Sequence, residues 1–293
     1  MTPTRFTFAG HGDLSLNAWD YGGDGPLLLL CHCTGTLARV WDPAVRALNG
    51  AFRCVALDTR GHGDSAFPPS REKCAWDLSG RDLLRLVDHL NPDSPPFAAG
   101  HSAGGAHVGY ATMLRPGVFA KIALIDSIIG PDSIFGNMES PLAALVRRRV
   151  NIFPSRESAK ERLGSKPPMT HWHTEALDAY IAHGLRDRED GQVELKLPGN
   201  HEAWFYELGG ATDLFAGLKD IATPALVIAG EMSDVRLLPE LQHKELPNST
   251  LHQVQGAGHF VPQEKPREIA QLLLRLLEDG VPPRAAEHPV VRG

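Results

Sequence analysis

Several things are scarce or missing in this chain of 293 residues. It has four cysteines, Cys31, Cys33, Cys54 and Cys74, and no two are spaced C-x-x-C. That argues against a disulfide-stapled fold and a zinc site, and all four are expected to be reduced thiols. No run of about 18 apolar residues occurs, so no membrane-spanning helix is expected. The first residues, Met1 to Phe6, lack a basic stretch leading into an apolar one, so a cytoplasmic location is expected. Positive charge is not in excess. The formal net charge is -6, and a nucleic-acid partner would usually leave a basic footprint. No internal repeat or low-complexity tract is visible, which excludes a solenoid.

The rest of the composition is that of a globular protein. Apolar residues make up 42% and charged residues 22%, enough to bury a large core without staples. Short apolar runs at Leu27–Cys31, Arg53–Leu57, Phe97–Ala99, Lys121–Ile125 and Ala225–Ala229 do not alternate. Strands of that kind are covered on both faces, as in a parallel sheet. Helical spacing marks Leu83, Leu86, Val87 and Leu90, and later Ile269, Leu272, Leu273, Leu276 and Leu277. Strand and helix in alternation predict an α/β class, a doubly wound sheet. Arg5–Ala9 and Leu14–Tyr21 read as a hairpin around Gly10–Asp13.

From about Ser127 to Gly210 the alternation breaks into helices and loops without a clear strand. The expected organisation is a core from 1–126 and 211–280, an inserted helical cap from 127–210, and a loose tail from 281–293.

Gly100-His101-Ser102-Ala103-Gly104 matches G-x-S-x-G. In a chain this rich in glycine, chance supplies roughly 0.1 to 0.2 such matches, so the motif alone is weak. Its setting is stronger. An apolar run precedes it and a helix, Ala103–Leu114, follows. Strand, sharp turn and helix are what an exposed nucleophilic serine needs. Ser102 is therefore the expected nucleophile. Its base should come late, and Gly258-His259 follows the strand-like Thr250–Val254 and precedes the last helix, so His259 is expected in that role. For the orienting acid the first choice is Asp234, after the Ala225–Ala229 strand. Asp126, directly after Lys121–Ile125, and Glu231 are alternatives, since strand C-terminal ends line one crevice. The oxyanion hole is expected from the backbone N–H groups of Ala103 and Thr34. Thr36, Trp41, Met138, Trp172, Trp204 and Phe205 are candidates for the substrate wall.

Taken together, His32-Cys33-Thr34-Gly35, Asp58-Thr59-Arg60-Gly61-His62-Gly63-Asp64-Ser65, Gly100–Gly105, Gly230–Asp234 and Gly258-His259 resemble the α/β-hydrolase superfamily from about Arg5 to Glu278. The resemblance implies an eight-stranded, mostly parallel sheet with a cap over the site. It implies a structural role for the Asp58–Ser65 loop, no cofactor and no metal. Where the family often has His-Gly, this chain has His32-Cys33, which narrows the backbone geometry open to the oxyanion loop. The leading expectation is hydrolysis of a carboxylic ester or lactone of a small to medium apolar molecule through an acyl-enzyme. Alternatives are carbon–carbon bond hydrolysis, perhydrolysis, or ligand binding without turnover.

Overall fold

The computed structural model describes residues 2–131, 133, 140–209 and 212–278. Met138 and the 281–293 tail lie outside the described residues. The chain opens with the antiparallel hairpin of β1 (Thr4–Ala9) and β2 (Ser15–Asp20). There follow β3 (Leu27–Cys31), α1 (Asp42–Leu48), β4 (Arg53–Asp58), α2 (Trp76–Leu90), β5 (Phe97–His101), α3 (Ala103–Leu114) and β6 (Ile122–Ile125). An excursion from the sheet carries α4 (Pro141–Arg147), β7 (Ile152–Phe153), α5 (Arg156–Gly164), α6 (Thr174–Gly184), β8 (Leu185–Asp187), β9 (Val193–Leu195), α7 (Gly199–Glu207) and α8 (Thr212–Gly217). The chain returns as β10 (Ala225–Gly230), α9 (Leu237–Glu245), β11 (Ser249–Val254), α10 (Val261–Glu264) and α11 (Pro266–Leu274).

The main sheet has eight strands in the order β1-β2-β4-β3-β5-β6-β10-β11. Only β2 runs against the others, so the sheet is mostly parallel, as the resemblance implied. The unbroken apolar runs follow from burial on both faces. In β3, Leu28 and Leu30 enter one apolar cluster and Leu29 and Cys31 the other. The same alternation places Cys54 and Ala56 on the first face and Val55 and Leu57 on the second. Successive strand residues point to opposite faces, so a strand covered twice has no polar side to show.

The excursion is not wholly helical. β7, β9 and β8 form an antiparallel three-stranded sheet in that order, which corrects the expectation of a segment without strands. Each of these strands is two or three residues long, too short for alternation or an apolar run to register. The segment shares the core of the main sheet. Phe153, Trp172, Tyr180, Ile181 and Leu185 pack in one cluster with Ala38, Val40, Trp41 and Leu48.

Candidate active site

The turn from β5 into α3 holds Ser102 at φ 57°, ψ -119°, outside the regions that L-residues favour. Such a conformation costs on the order of 1–3 kcal/mol and persists only where the surroundings enforce it. Its neighbours explain both glycines of the motif. A Cβ on Gly100 would lie 2.1 Å from the carbonyl oxygen of Gly104, and one on Gly104 would lie 2.4 Å from that of Cys31. The turn closes because neither residue has a side chain. Ser102 then begins α3, with the Ala103 N–H at the positive end of that helix.

His259 Nε2 lies 3.0 Å from Ser102 Oγ, and His259 Nδ1 lies 2.6 Å from Asp126 Oδ2. Three side chains from the ends of β5, β6 and the loop after β11 therefore stand in one hydrogen-bonded line. Asp126 is fully buried, Ser102 nearly so, and the His259 side chain keeps 25% of its surface open.

The carboxylate beside His259 is Asp126, not Asp234. Asp234 is exposed, and no hydrogen bond or ion pair joins it to His259 among the described residues. Glu231 is turned away as well, accepting from the Gly256 N–H at 2.8 Å. The reason lies in strand order. β6 sits between β5 and β10, so its C-terminal end faces the crevice between Ser102 and the β11 loop. The loop after β10, where Asp234 sits, supplies hydrogen bonds to Asp126 and no carboxylate to His259. Gly230 N–H donates to Asp126 Oδ1 at 3.0 Å, and the Ser233 hydroxyl to Oδ2 at 2.5 Å. Asp126 adopts φ 44°, a left-handed conformation that aspartate tolerates better than most residues.

The loop of His259 is held from two sides. His101 donates from Nε2 to the His259 carbonyl oxygen at 2.8 Å. The Glu264 carboxylate accepts from Gly258 N–H at 2.7 Å and Phe260 N–H at 3.2 Å. His101 is fully buried, and burial together with the nearby His259 holds it well below the usual imidazole range. It is a neutral, fixed donor. Neither His101 nor Glu264 nor Ser233 stood out in the sequence, although His101 lies inside the serine motif.

Two neutral histidines pin the loop that carries Cys33, Thr34 and Gly35. His32 Nδ1 donates to the Cys33 carbonyl at 2.8 Å, and its Nε2 accepts from Thr59 N–H at 3.1 Å. His62 Nε2 accepts from Gly35 N–H at 3.1 Å while its Nδ1 donates to the Arg60 carbonyl at 2.9 Å. Burial lowers His32 to about 4 and His62 to about 3. Thr34 lies between these anchors and is nearly buried. The Cys33 thiol is buried and pushed up to about 12 by desolvation, so it is no thiolate nucleophile. The rest of the Asp58–Ser65 loop is scaffold. Asp58 accepts from Ala38 N–H and Asn17 Nδ2, each at 2.7 Å, and Arg60 pairs with buried Asp82 at 2.7 Å.

The wall candidates divide. Trp172 packs between Tyr180 and Phe260, and Phe260 in turn meets the His259 ring at 5.2 Å. Thr36 is buried and donates its hydroxyl to the Cys33 carbonyl at 3.0 Å. Trp41 has no exposed surface in this conformation, because it is packed inside the core, and so leaves the wall. Trp204 meets Phe67 and His201 at tilted angles, and Phe205 meets His62 at a tilt and Phe67 edge-on. His173 caps α6, accepting from Glu175 N–H at 3.3 Å, which accounts for one histidine of His171-Trp172-His173. Among the described residues no three histidine, cysteine or carboxylate side chains are grouped as a metal site would require. No helix among them is long and apolar enough to cross a membrane.

Comparison with known proteins gives three kinds of likeness. A family model described as the alpha/beta hydrolase family matches residues 28–272. The magnesium-chelatase 30 kDa subunit of Rhodobacter capsulatus is 28% identical over 87% of this chain and 88% of its own. The esterase Rv0045c of Mycobacterium tuberculosis is 24% identical over 90% of this chain and 87% of its own. Among solved structures, an E-2-(acetamidomethylene)succinate hydrolase superimposes with a TM-score of 0.78 at 20% identity, covering 94% of this chain and 99% of that one.

Proposed function

The chain belongs to the alpha/beta hydrolase family, and from that premise we propose that it is a serine hydrolase cleaving a carboxylic ester or lactone of a small to medium, largely apolar molecule. The observation that carries this reading is the line Asp126–His259–Ser102, with contacts of 2.6 and 3.0 Å. A hydroxyl, a base within reach of its proton and a buried carboxylate on the far ring nitrogen are the parts acyl transfer needs.

In the proposed reaction Ser102 Oγ attacks the acyl carbonyl while His259 Nε2 takes its proton. Asp126 accepts the Nδ1–H throughout, which fixes the tautomer and stabilises the imidazolium. The N–H groups of Ala103 and Thr34 hold the negative oxygen of the tetrahedral intermediate. His259 then returns the proton to the departing alcohol oxygen and leaves an acyl-Ser102. Water, deprotonated by the same nitrogen, attacks the acyl carbon, and Ser102 departs with the proton. Trp172 and Phe260 beside His259 support an apolar wall, and no cofactor enters any step.

The test is a nitrophenyl ester chain-length series run beside lactones, with wild type and Ser102→Ala, together with fluorophosphonate labelling. Turnover should fall by about three orders of magnitude or more in Ser102→Ala, and the label should map to Ser102. Substantial activity retained by Ser102→Ala would sink the proposal. Labelling of Ser102 without turnover of any ester or lactone would replace it with a non-hydrolytic role.

A further inference from the structure

The turn after β3 holds one carbonyl with three donors. Cys33, Thr34, Gly35 and Thr36 form a turn closed by Thr36 N–H, which donates to the Cys33 carbonyl at 3.2 Å. Gly35 takes the third place at φ 81°, a value that a type II turn requires and a side chain resists. The same carbonyl also accepts from Thr36 Oγ1 at 3.0 Å and from His32 Nδ1 at 2.8 Å. His32, Cys33 and Thr36 are all buried.

The proton positions follow from the partners. Thr59 N–H can only donate, and it meets His32 Nε2 at 3.1 Å, so Nε2 carries the lone pair and Nδ1 the proton. Thr36 has one hydroxyl proton, and it is committed to the Cys33 carbonyl. Cys33 Sγ lies 3.4 Å from Thr36 Oγ1 and is therefore the donor of that contact, a role open to a neutral buried thiol. The thiol directs the hydroxyl, and the hydroxyl holds the carbonyl.

A trans peptide ties that carbonyl to the next amide, because the C=O and N–H of one planar unit point in opposite directions. With the Cys33 carbonyl held toward His32 and Thr36, the Thr34 N–H is turned away from both. The next two N–H groups are taken, Gly35 by His62 Nε2 at 3.1 Å and Thr36 by the turn. The Thr34 N–H is the one of the three without an acceptor among the described residues, and buried amides are rarely left so. Beside this turn lies the start of α3. A Cβ on Gly104 would lie 2.4 Å from the Cys31 carbonyl and 2.6 Å from that of His32, so the loop leaves the sheet next to Ala103. On the other side a Cβ on Gly35 would lie 2.4 Å from Glu202 Oε1, and Arg149 Nη1, 2.6 Å from Glu202 Oε2, balances that carboxylate.

A donor that must swing into place loses part of its interaction to reorganisation, whereas one fixed beforehand does not. Swinging the Cys33–Thr34 peptide would strip three hydrogen bonds from one buried oxygen, which is the costly state for such a group. We infer that Thr36 and His32 are positioning residues, which hold the Cys33 carbonyl so that the Thr34 N–H is set for a developing oxyanion before substrate arrives. The inference rests on the serine hydrolase reading and adds to it what fixes one of the two proposed donors.

The experiment compares a tetrahedral adduct with a planar ligand. A trifluoromethyl ketone is attacked by Ser102 Oγ: the O–C bond forms, the carbonyl π pair becomes the oxyanion, and the Ser102 proton passes to His259. The methyl ketone of equal chain length stays planar. Both are titrated into the full chain as wild type, Thr36→Val and Thr36→Ser, with fluorine NMR reporting the adduct. Thr36→Val keeps the shape and removes the hydroxyl. It should weaken the trifluoromethyl ketone about ten-fold or more and leave the methyl ketone within about two-fold. Thr36→Ser should bring the trifluoromethyl ketone back to within about three-fold of wild type. A trifluoromethyl ketone affinity that Thr36→Val leaves within about two-fold overturns the inference. So does equal weakening of both ketones, which is what a merely structural role would give, or the absence of rescue by serine. Should Thr36→Val fail to fold by circular dichroism, Thr36→Ala, which also lacks the hydroxyl, is read against the same outcomes. A wild type that forms the adduct with this dependence on Thr36, yet hydrolyses no ester or lactone, refutes the hydrolase reading and leaves the inference standing. A wild type that forms no adduct refutes both.

Discussion

Asp126 Oδ2 lies 2.6 Å from His259 Nδ1, although 133 residues separate the two in the chain. The contact is buried on the aspartate side and open on the histidine side. Oδ2 also accepts from the Ser233 hydroxyl and Oδ1 from Gly230 N–H, so both oxygens are occupied and the carboxylate has one orientation.

Asp126→Asn should lower kcat on a nitrophenyl ester by about three to four orders of magnitude, because an amide holds the imidazole in the wrong tautomer. Asp234→Asn, at an exposed position with no hydrogen bond or ion pair to His259, should stay within about two-fold of wild type, as surface changes away from such features usually do. Steady-state kinetics on the two variants side by side decides between the carboxylates, and the reverse ranking would restore Asp234.

His101→Phe should keep the fold and lower kcat far more than it raises KM. The ring volume is similar, but the donor to the His259 carbonyl is gone and that loop is freed on one side. A displacement of about 1 Å at a reacting group costs on the order of a hundred-fold. A kcat within two-fold of wild type, with unchanged melting temperature, would show that Glu264 alone positions the loop.

Gly104→Ala should impair folding, not chemistry alone. The added methyl would sit 2.4 Å from the Cys31 carbonyl and 2.6 Å from that of His32, both backbone atoms that cannot yield cheaply. Overpacking of this kind costs typically 1–3 kcal/mol, and contact with rigid backbone places this case at the upper end. Urea unfolding measures it. An unchanged midpoint would mean that the β5–α3 turn and the end of β3 can separate.

Acid should destabilise the protein below about pH 6.5, before carboxylate titration becomes the main cause. His32, His62, His101 and His107 are all buried and all lowered from their ordinary value of 6.5 by desolvation. In the unfolded chain they bind protons near pH 6.5, whereas in the folded chain His32 waits until about 4 and His62 until about 3. The unfolded state therefore holds more protons through that window. The stability these groups supply is complete above pH 6.5 and is lost as pH falls toward the folded values. Each group contributes at most about 1.4 kcal/mol per pH unit. Unfolding free energies at pH 7.5 and 5.0 test this, and replacing His62 with Gln should flatten the slope. A flat profile across the window would contradict the buried neutral assignment.

The sharp turn at Ser102 and the loop of His259 were legible in the sequence because their signals are local. A strained serine turn needs small residues at Gly100 and Gly104, and the histidine loop is framed by Gly258 and preceded by β11. The strands of the main sheet were legible for a similar reason, since burial on both faces writes continuous apolar runs such as Leu27–Cys31. The three short strands β7, β8 and β9 were not, because two or three residues carry no period.

The sequence by itself determined the chemistry on offer: a serine in an elbow, a late histidine, and carboxylates at the ends of two apolar strands. It put Asp234 first and Asp126 as an alternative, although each follows a buried strand and the two look alike along the chain. Only the tertiary structure decided between them. Strand order puts β6 next to β5, the positive φ of Asp126 turns its carboxylate to His259, and the loop that carries Asp234 is used to hold it. The pairing of Arg149 with Glu202 against Gly35 was likewise invisible before folding, because such contacts depend on which loops the sheet brings together and not on spacing in the chain.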